Sequence, residues 1–268
     1  MPLVDDDMAA ALAALGENCV IAVQDNRNRW RRDHGAISEE GLPLLVAAYT
    51  SLLEPGVDAA VEAALTRSGI DLAALLTAPV GGREDITRSD ACELAALSTL
   101  HAHDRWPLEL LHMPNIPKGS RRQSESGIDI MTASIEVDGP ADLLLETEVV
   151  YLASVKHTIT ERNDRLVGDL VKSVTTSLTP EYLTCQLRVL DHVVHSRLPT
   201  ATRGRVFLVL RDFPRDSHVR ISAVAAVDLA QMDNAVAATD ELPTVPPDVY
   251  QYRVIAIHHL ADLHKLCP

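Results

Sequence analysis

Aromatic residues are scarce in this chain: Phe, Trp and Tyr together make up 3% of 268 residues. Its core must therefore be built from Ala, Val and Leu. No apolar run approaches the roughly 18 residues that argue for a membrane-spanning helix. The segment Met1–Asp7 carries three acids and lacks the basic start of a secretion signal. The expectation is a cytoplasmic protein with no membrane partner. Cysteine is sparse as well. Cys19, Cys92, Cys185 and Cys267 lie too far apart for a CxxC pair and are too few for a disulfide scaffold. A P-loop, a GxSxG elbow and a GxGxxG turn are all missing, which removes the commonest nucleotide-binding and serine-hydrolase readings.

Positive charge is also short. Lys and Arg number 24 against 38 Asp and Glu, a net charge of −14. The deficit is uneven: residues 1–90 hold 15 acids and 7 bases, whereas residues 201–268 hold 8 and 7. Salt-tolerant binding of nucleic acid over the whole surface is excluded, and any DNA reading must name a local basic groove. What remains is 47% hydrophobic and 23% charged, too apolar for a disordered chain.

Two parts are expected. Residues 1–82 read as a mainly helical segment. Helices are expected at Met8–Leu15, Leu42–Leu53 and Val57–Leu65, and a short strand at Val20–Val23 precedes polar Gln24–Arg32. Glu54-Pro55-Gly56 breaks the helices, and Pro79-Val80-Gly81-Gly82 marks the boundary. From residue 83 to 268 the pattern becomes α/β. A helix over Thr87–His101 is followed by strands at Gly127–Val137 and Leu143–His157, the second apolar on both faces and therefore central. A helix from Asn163 to Leu178 and another starting at Thr179-Pro180 come next. Strands at Val206–Leu210, Val219–Val227 and Tyr252–Ile257 complete a central mixed β-sheet flanked by helices.

Polar groups interrupt this apolar pattern at a few places. Glu93 lies within the stripe of Leu94, Leu97 and Leu100, so it either reaches solvent at a rim or needs a partner or a metal. Asp129 stands inside the apolar strand that starts Gly127-Ile128-Asp129-Ile130, and aspartate is among the poorest strand formers. It serves either a strand-end hydrogen bond or a site. Ser154 and Lys156, two apart, share one face of the next strand. Lys156 either snorkels to water or is neutralised by acids. Glu161, Asp164 and Asp169 follow, as solvated helix residues or as those acids. His101 and His103 with Cys92 lack the second pair that a zinc site requires. His192, His195 and His258-His259 read as structural.

An acid on a helix, an aspartate in a first strand, x-Val-Lys in the next and then helices resembles the PD-(D/E)xK nuclease superfamily, the restriction-endonuclease-like core. The resemblance spans about Asp85 to Leu210. It implies a metal-dependent deoxyribonuclease in which Asp129 binds Mg²⁺ or Mn²⁺, Lys156 activates the attacking water and Glu93 supplements the site. Phosphodiester hydrolysis needs hard oxygen ligands and a cation at the developing charge. Where the family has the glutamate of ExK, this chain has Ser154. Some restriction enzymes of the superfamily with Ser-x-Lys take the missing acid from the following helix, which nominates Asp169 first and Glu161 second. Lys118, Arg121, Arg122, Arg162 and Arg165 are the candidate DNA-phosphate contacts. The layout is similar to Hachiman-type anti-phage effectors, which work with a helicase, and implies a protein partner. The alternative is an inactive nuclease-like subunit that binds DNA or forms a complex.

Overall fold

The computed structural model describes residues 6–27, 30–53, 83–108, 110–112, 129–136, 138–140, 143–159, 163–176, 204–206, 208–209, 218–239, 242–244 and 250–266. Its framework is one mixed sheet. In chain order, α1 (Asp6–Glu17) leads into the hairpin β1 (Val20–Arg27) and β2 (Trp30–Ile37), then α2 (Leu42–Leu53) and α3 (Arg83–Asp104). The strands β3 (Leu110–His112), β4 (Ile130–Ser134) and β5 (Val149–Thr158) follow, then α4 (Asn163–Thr176), β6 (Val219–Asp228), α5 (Met232–Ala238), β7 (Tyr250–Ile257) and α6 (Leu263–Leu266). The strand order is β1-β2-β7-β6-β5-β4-β3. β2, β7, β6 and β5 run parallel to one another, and antiparallel pairs flank them on both sides.

Four parallel neighbours require cover on both faces, and the sequence of β6, Val-Arg-Ile-Ser-Ala-Val-Ala-Ala-Val-Asp, provides apolar side chains for both. One face, with Val150 and Leu152 of β5, packs Leu166, Val167, Leu170 and Val174 of α4 and Ala235 of α5. The other, with Ala153 and Val155, packs Leu12 and Leu15 of α1, Leu45 of α2 and Leu94, Leu97 and Leu100 of α3. The small residues at Ala223, Ala225 and Ala226 fit a core filled by aliphatic helices, as the shortage of aromatics requires.

The described elements differ from the expected ones at several points: the strand expected at Gly127–Val137 covers Ile130–Ser134, and β3 and α5 are additional. Val20–Val23 extends through Gln24–Arg27 into an eight-residue strand, and Trp30–Arg32 opens its antiparallel partner, so the stretch expected as a helical preface contributes two strands to the main sheet. β5 starts at Val149 because Glu148 ends the approach: its amide donates to Leu145 O at 2.9 Å and its carboxylate takes the amides of Leu145 and Glu136 at 2.9 and 3.2 Å. Residues 204–206 and 208–209 are helical where a strand was expected. Val206 and Val209 are both buried three apart, the helical period, and the turn delivers Arg205 to Glu148 (Nε–Oε1 2.7 Å). The expected helices at 57–65 and from Thr179, and the boundary at 79–82, lie outside the described residues.

Two ionic arrangements are enclosed by this packing. Arg253, fully buried on β7, donates to both oxygens of Asp33 on β2 (2.6 and 2.9 Å) and to Asp104 at the end of α3 (2.8 Å). Burial works against its charge, but the two carboxylates outweigh that and raise its pKa. Gln251 adds a 2.7 Å bond to Asp33. Removing one partner of a buried pair strands the other charge at about 3–5 kcal/mol. Asp33→Ala is therefore expected to lower unfolding free energy by about 3 kcal/mol in urea titration, with Asp33→Asn milder.

Burial also opposes ionisation of Glu148, but Arg205 and the two amides overcome it and hold its carboxyl below the ordinary carboxylate value. A depressed acid contributes stability above its unfolded pKa and loses it as pH falls through the folded one. The stability gap between wild type and Glu148→Gln should hold near neutral pH and close as pH drops below about 4.5. Parallel acid-unfolding curves would contradict this.

Candidate active site

The turn into β4 and the middle of β5 bring three of the expected residues together. Asp129 precedes the first paired residue of β4, Ile130, which faces Ala153. Its amide donates to Ala153 O at 2.9 Å, the carbonyl of the residue that Ile130 already faces, and this bond holds Asp129 beside Ser154 at the entry to β4. A strand residue and its cross-strand partner project to one face. The Asp129 carboxylate accordingly accepts from Ser154 Oγ at 3.1 Å and from the Val155 amide at 2.7 Å, both through Oδ2. Lys156 projects to the same face, with Nζ 3.7 Å from that oxygen. Asp129 is nearly enclosed, at 11% side-chain exposure, while Lys156 at 28% reaches the edge of the cluster.

A fourth member escaped sequence reasoning. α4 leaves the carboxyl end of β5 and runs back over the face that carries Ser154 and Lys156. Its Ser173 meets Ser154, Oγ to Oγ 2.8 Å. Ser154, at 3% exposure, is thus tied to Asp129 on one side and to α4 on the other. The available signal was weak: Ser173 falls seven residues after Leu166 and three after Leu170, on the edge of α4's buried stripe.

The other expected residues are distributed differently. Asp169 lies one turn before Ser173, on the side of α4 nearer the carboxyl end of β5. It is 60% exposed, and its carboxylate lies 3.6 Å from Arg165 Nε. Glu93 is buried in α3, which packs on the opposite face with Val155, and accepts from Ser89 Oγ at 3.1 Å. Glu161, Lys118, Arg121, Arg122 and Arg162 lie outside the described residues. Arg165 is exposed, and Lys172, two turns further, shares its outward face, a cation that sequence reasoning passed over.

The zinc-like residues are occupied structurally. His101 Nδ1 lies 2.6 Å from Trp106 O, and His103 Nε2 lies 2.7 Å from Cys19 O, so both rings close off the end of α3. Burial pushes the Cys19 thiol up to about 11 and raises Cys92 further.

Chemically, the cluster offers a fixed carboxylate, a partly exposed ammonium within reach of it and two hydroxyls. The Asp129 carboxylate and the hydroxyls of Ser154 and Ser173 offer oxygens, the kind of ligand atom that hard divalent cations take. Searches against known family models and against curated proteins find no match to this chain.

Proposed function

We propose that this chain is a metal-dependent deoxyribonuclease of the restriction-endonuclease-like kind, with Asp129 and Lys156 as its catalytic pair. The observation that carries the reading is the gathering of Asp129, Ser154 and Lys156 on one face of adjacent antiparallel strands. Supporting it, α3 is followed by the antiparallel run β3, β4 and β5, then α4 as the return, then β6 parallel to β5. That order sets the aspartate strand beside the lysine strand and lays α4 over the site.

Asp129 is the residue that holds Mg²⁺ or Mn²⁺, with its orientation fixed by the Val155 amide and Ser154. Bound there, the cation supplies charge neutralisation at the scissile phosphate. Lys156 contributes a second positive charge on the same side and three donors with which to orient a water or a phosphate oxygen. Arg165 and Lys172 on the outer face of α4 provide sequence-independent grip on the DNA backbone. A net charge of −14 makes such grip local and weak at physiological salt. For that reason a helicase or another protein partner is assigned to hold the chain on DNA, and the similarity of layout to Hachiman-type effectors makes it the effector subunit of a bacterial restriction or anti-phage system.

Asp129→Asn keeps an oxygen for the Val155 amide and removes the charge, so the fold should survive. Both Asp129→Asn and Lys156→Ala should cut Mg²⁺-dependent cleavage of plasmid DNA by about 100-fold or more, with melting close to wild type. Wild-type rates in either variant would overturn the assignment, as would cleavage that persists in excess chelator.

Asp169 is the acid proposed to replace the missing glutamate. Its present partner, Arg165, is an exposed i,i+4 neighbour, an attachment worth about 0.3–0.5 kcal/mol that a cation or a phosphate can displace. Asp169→Ala should inactivate, and adding Ser154→Glu should restore part of the activity. Loss with Glu161→Ala instead would move the role to Glu161. Activity unaffected by both, or absent from wild type, favours the second reading, an inactive nuclease-like DNA-binding or complex-forming subunit. One observation speaks for that reading: the hydroxyl standing where the family has an acid is already bonded to Asp129 and Ser173.

A further inference from the structure

Away from this cluster, a second group of side chains converges at the same carboxyl edge of the parallel strands. Glu39 follows β2, and His258 and His259 follow β7. β2 and β7 are parallel partners whose register ends with Ile37 opposite Ile257, so the turns that leave them lie side by side. The His258 amide, 3.4 Å from Ile37 O, ties the two turns together.

Consecutive residues on an extended strand project to opposite sides. His259 breaks that rule because its backbone is left-handed, φ 55 and ψ 34, a conformation that a residue with a β-carbon rarely adopts. The two imidazoles therefore stand together, with ring centroids 6.1 Å apart. Glu39 Oε1 lies 3.5 Å from His259 Nε2 and 4.0 Å from His258 Nδ1. One ligand atom from each of the three residues falls within 4.8 Å of the other two.

These separations have a specific chemical meaning. Zinc bonded to nitrogen and oxygen at about 2.0–2.1 Å, in a tetrahedron, keeps its ligand atoms about 3.3–3.4 Å apart. Both measured edges to Glu39 lie within an ångström of that length. Two imidazole nitrogens and one carboxylate oxygen suit borderline cations such as Zn²⁺, Co²⁺ and Ni²⁺; Mg²⁺ and Ca²⁺ prefer all-oxygen sets. His258 is 27% exposed, His259 60% and Glu39 71%, so an ion can enter from solvent with no rearrangement of the core.

We infer that Glu39, His258 and His259 form a binding site for a Zn²⁺-class ion, which clips the turn after β2 to the turn after β7. Three protein ligands leave one position for water or an incoming donor. The site is separate from the Asp129 cluster in residues and in ligand chemistry, and it stands whether or not the chain cleaves DNA.

The test is a calorimetric Zn²⁺ titration of the metal-free full-length chain, followed by thermal melting with and without the ion. One equivalent should bind in the roughly micromolar range and raise the melting temperature. Co²⁺ in its place should give the visible absorption of a tetrahedral complex. His259→Gly relieves the left-handed strain, so it should melt no lower than wild type without metal. It should nevertheless bind Zn²⁺ at least about tenfold more weakly, as should Glu39→Gln. The eleven histidines of the chain allow stray binding elsewhere. A Zn²⁺ affinity and melting shift unchanged in both variants, or no stoichiometric binding by wild type, would overturn the site.

Discussion

A guanidinium with no access to water fixes the middle of this molecule. Arg253 lies on β7, bonded to Asp33 of β2 and to Asp104 at the end of α3. A charge in that position is tolerated only while both acids stay in place. The ion cluster therefore locks two parallel strands to each other and to the helix over them. A slip of β7 by one residue would carry Arg253 to the opposite face, among Trp30 of β2 and Ala223 and Ala225 of β6. Register along β2 and β7 is thereby specified, and with it the level at which their turns emerge.

The candidate site depends on the same kind of constraint on the other side of the sheet. Ser154 pairs with Ala223 and Lys156 with Ala225 across β5 and β6. Both alanines are fully buried, and their small side chains leave room for α4 to bring Ser173 down to Ser154. Asp129 enters one step before β4 begins, so a main-chain amide, Val155 N, reaches its carboxylate at 2.7 Å. β5 thus carries Ser154 Oγ, Val155 N and Lys156 Nζ to Asp129 Oδ2, while the acid and cations proposed to complete the site, Asp169, Arg165 and Lys172, lie on the outer surface of α4. A cluster fixed on strands and completed from a helix can bind and release a polyanion without disturbing the core.

Much of the fold was legible in the sequence because it rests on periodicity. The two-sided apolar runs of β5, β6 and β7 and the stripe of Leu94, Leu97 and Leu100 announce buried strands and a buried helix directly. Asp129 and Lys156 were visible as polar interruptions of such runs. What stayed hidden depends on contacts between distant residues. Val206–Leu210 reads as a strand because it is β-branched and apolar, yet Arg205 is held by Glu148 57 residues away and residues 204–206 and 208–209 are helical. Gln24–Arg32, which completes β1 and opens β2, reads as a polar segment because its charges look solvated. In the fold, Arg32 bonds Thr239 and Asp33 bonds Arg253, each across about 200 residues of sequence. The two adjacent histidines gave no sign that a left-handed backbone would turn them toward Glu39.

Diffraction from crystals soaked in Mn²⁺ tests the central claim most directly, because the anomalous signal locates the ion without relying on activity. The account predicts a peak within bonding distance of the Asp129 carboxylate, near the end of Lys156, with a second carboxylate from α4 drawn in. A map with no peak at Asp129, or with Mn²⁺ only at other acids while the carboxylate keeps its bonds to Val155 and Ser154, would contradict it.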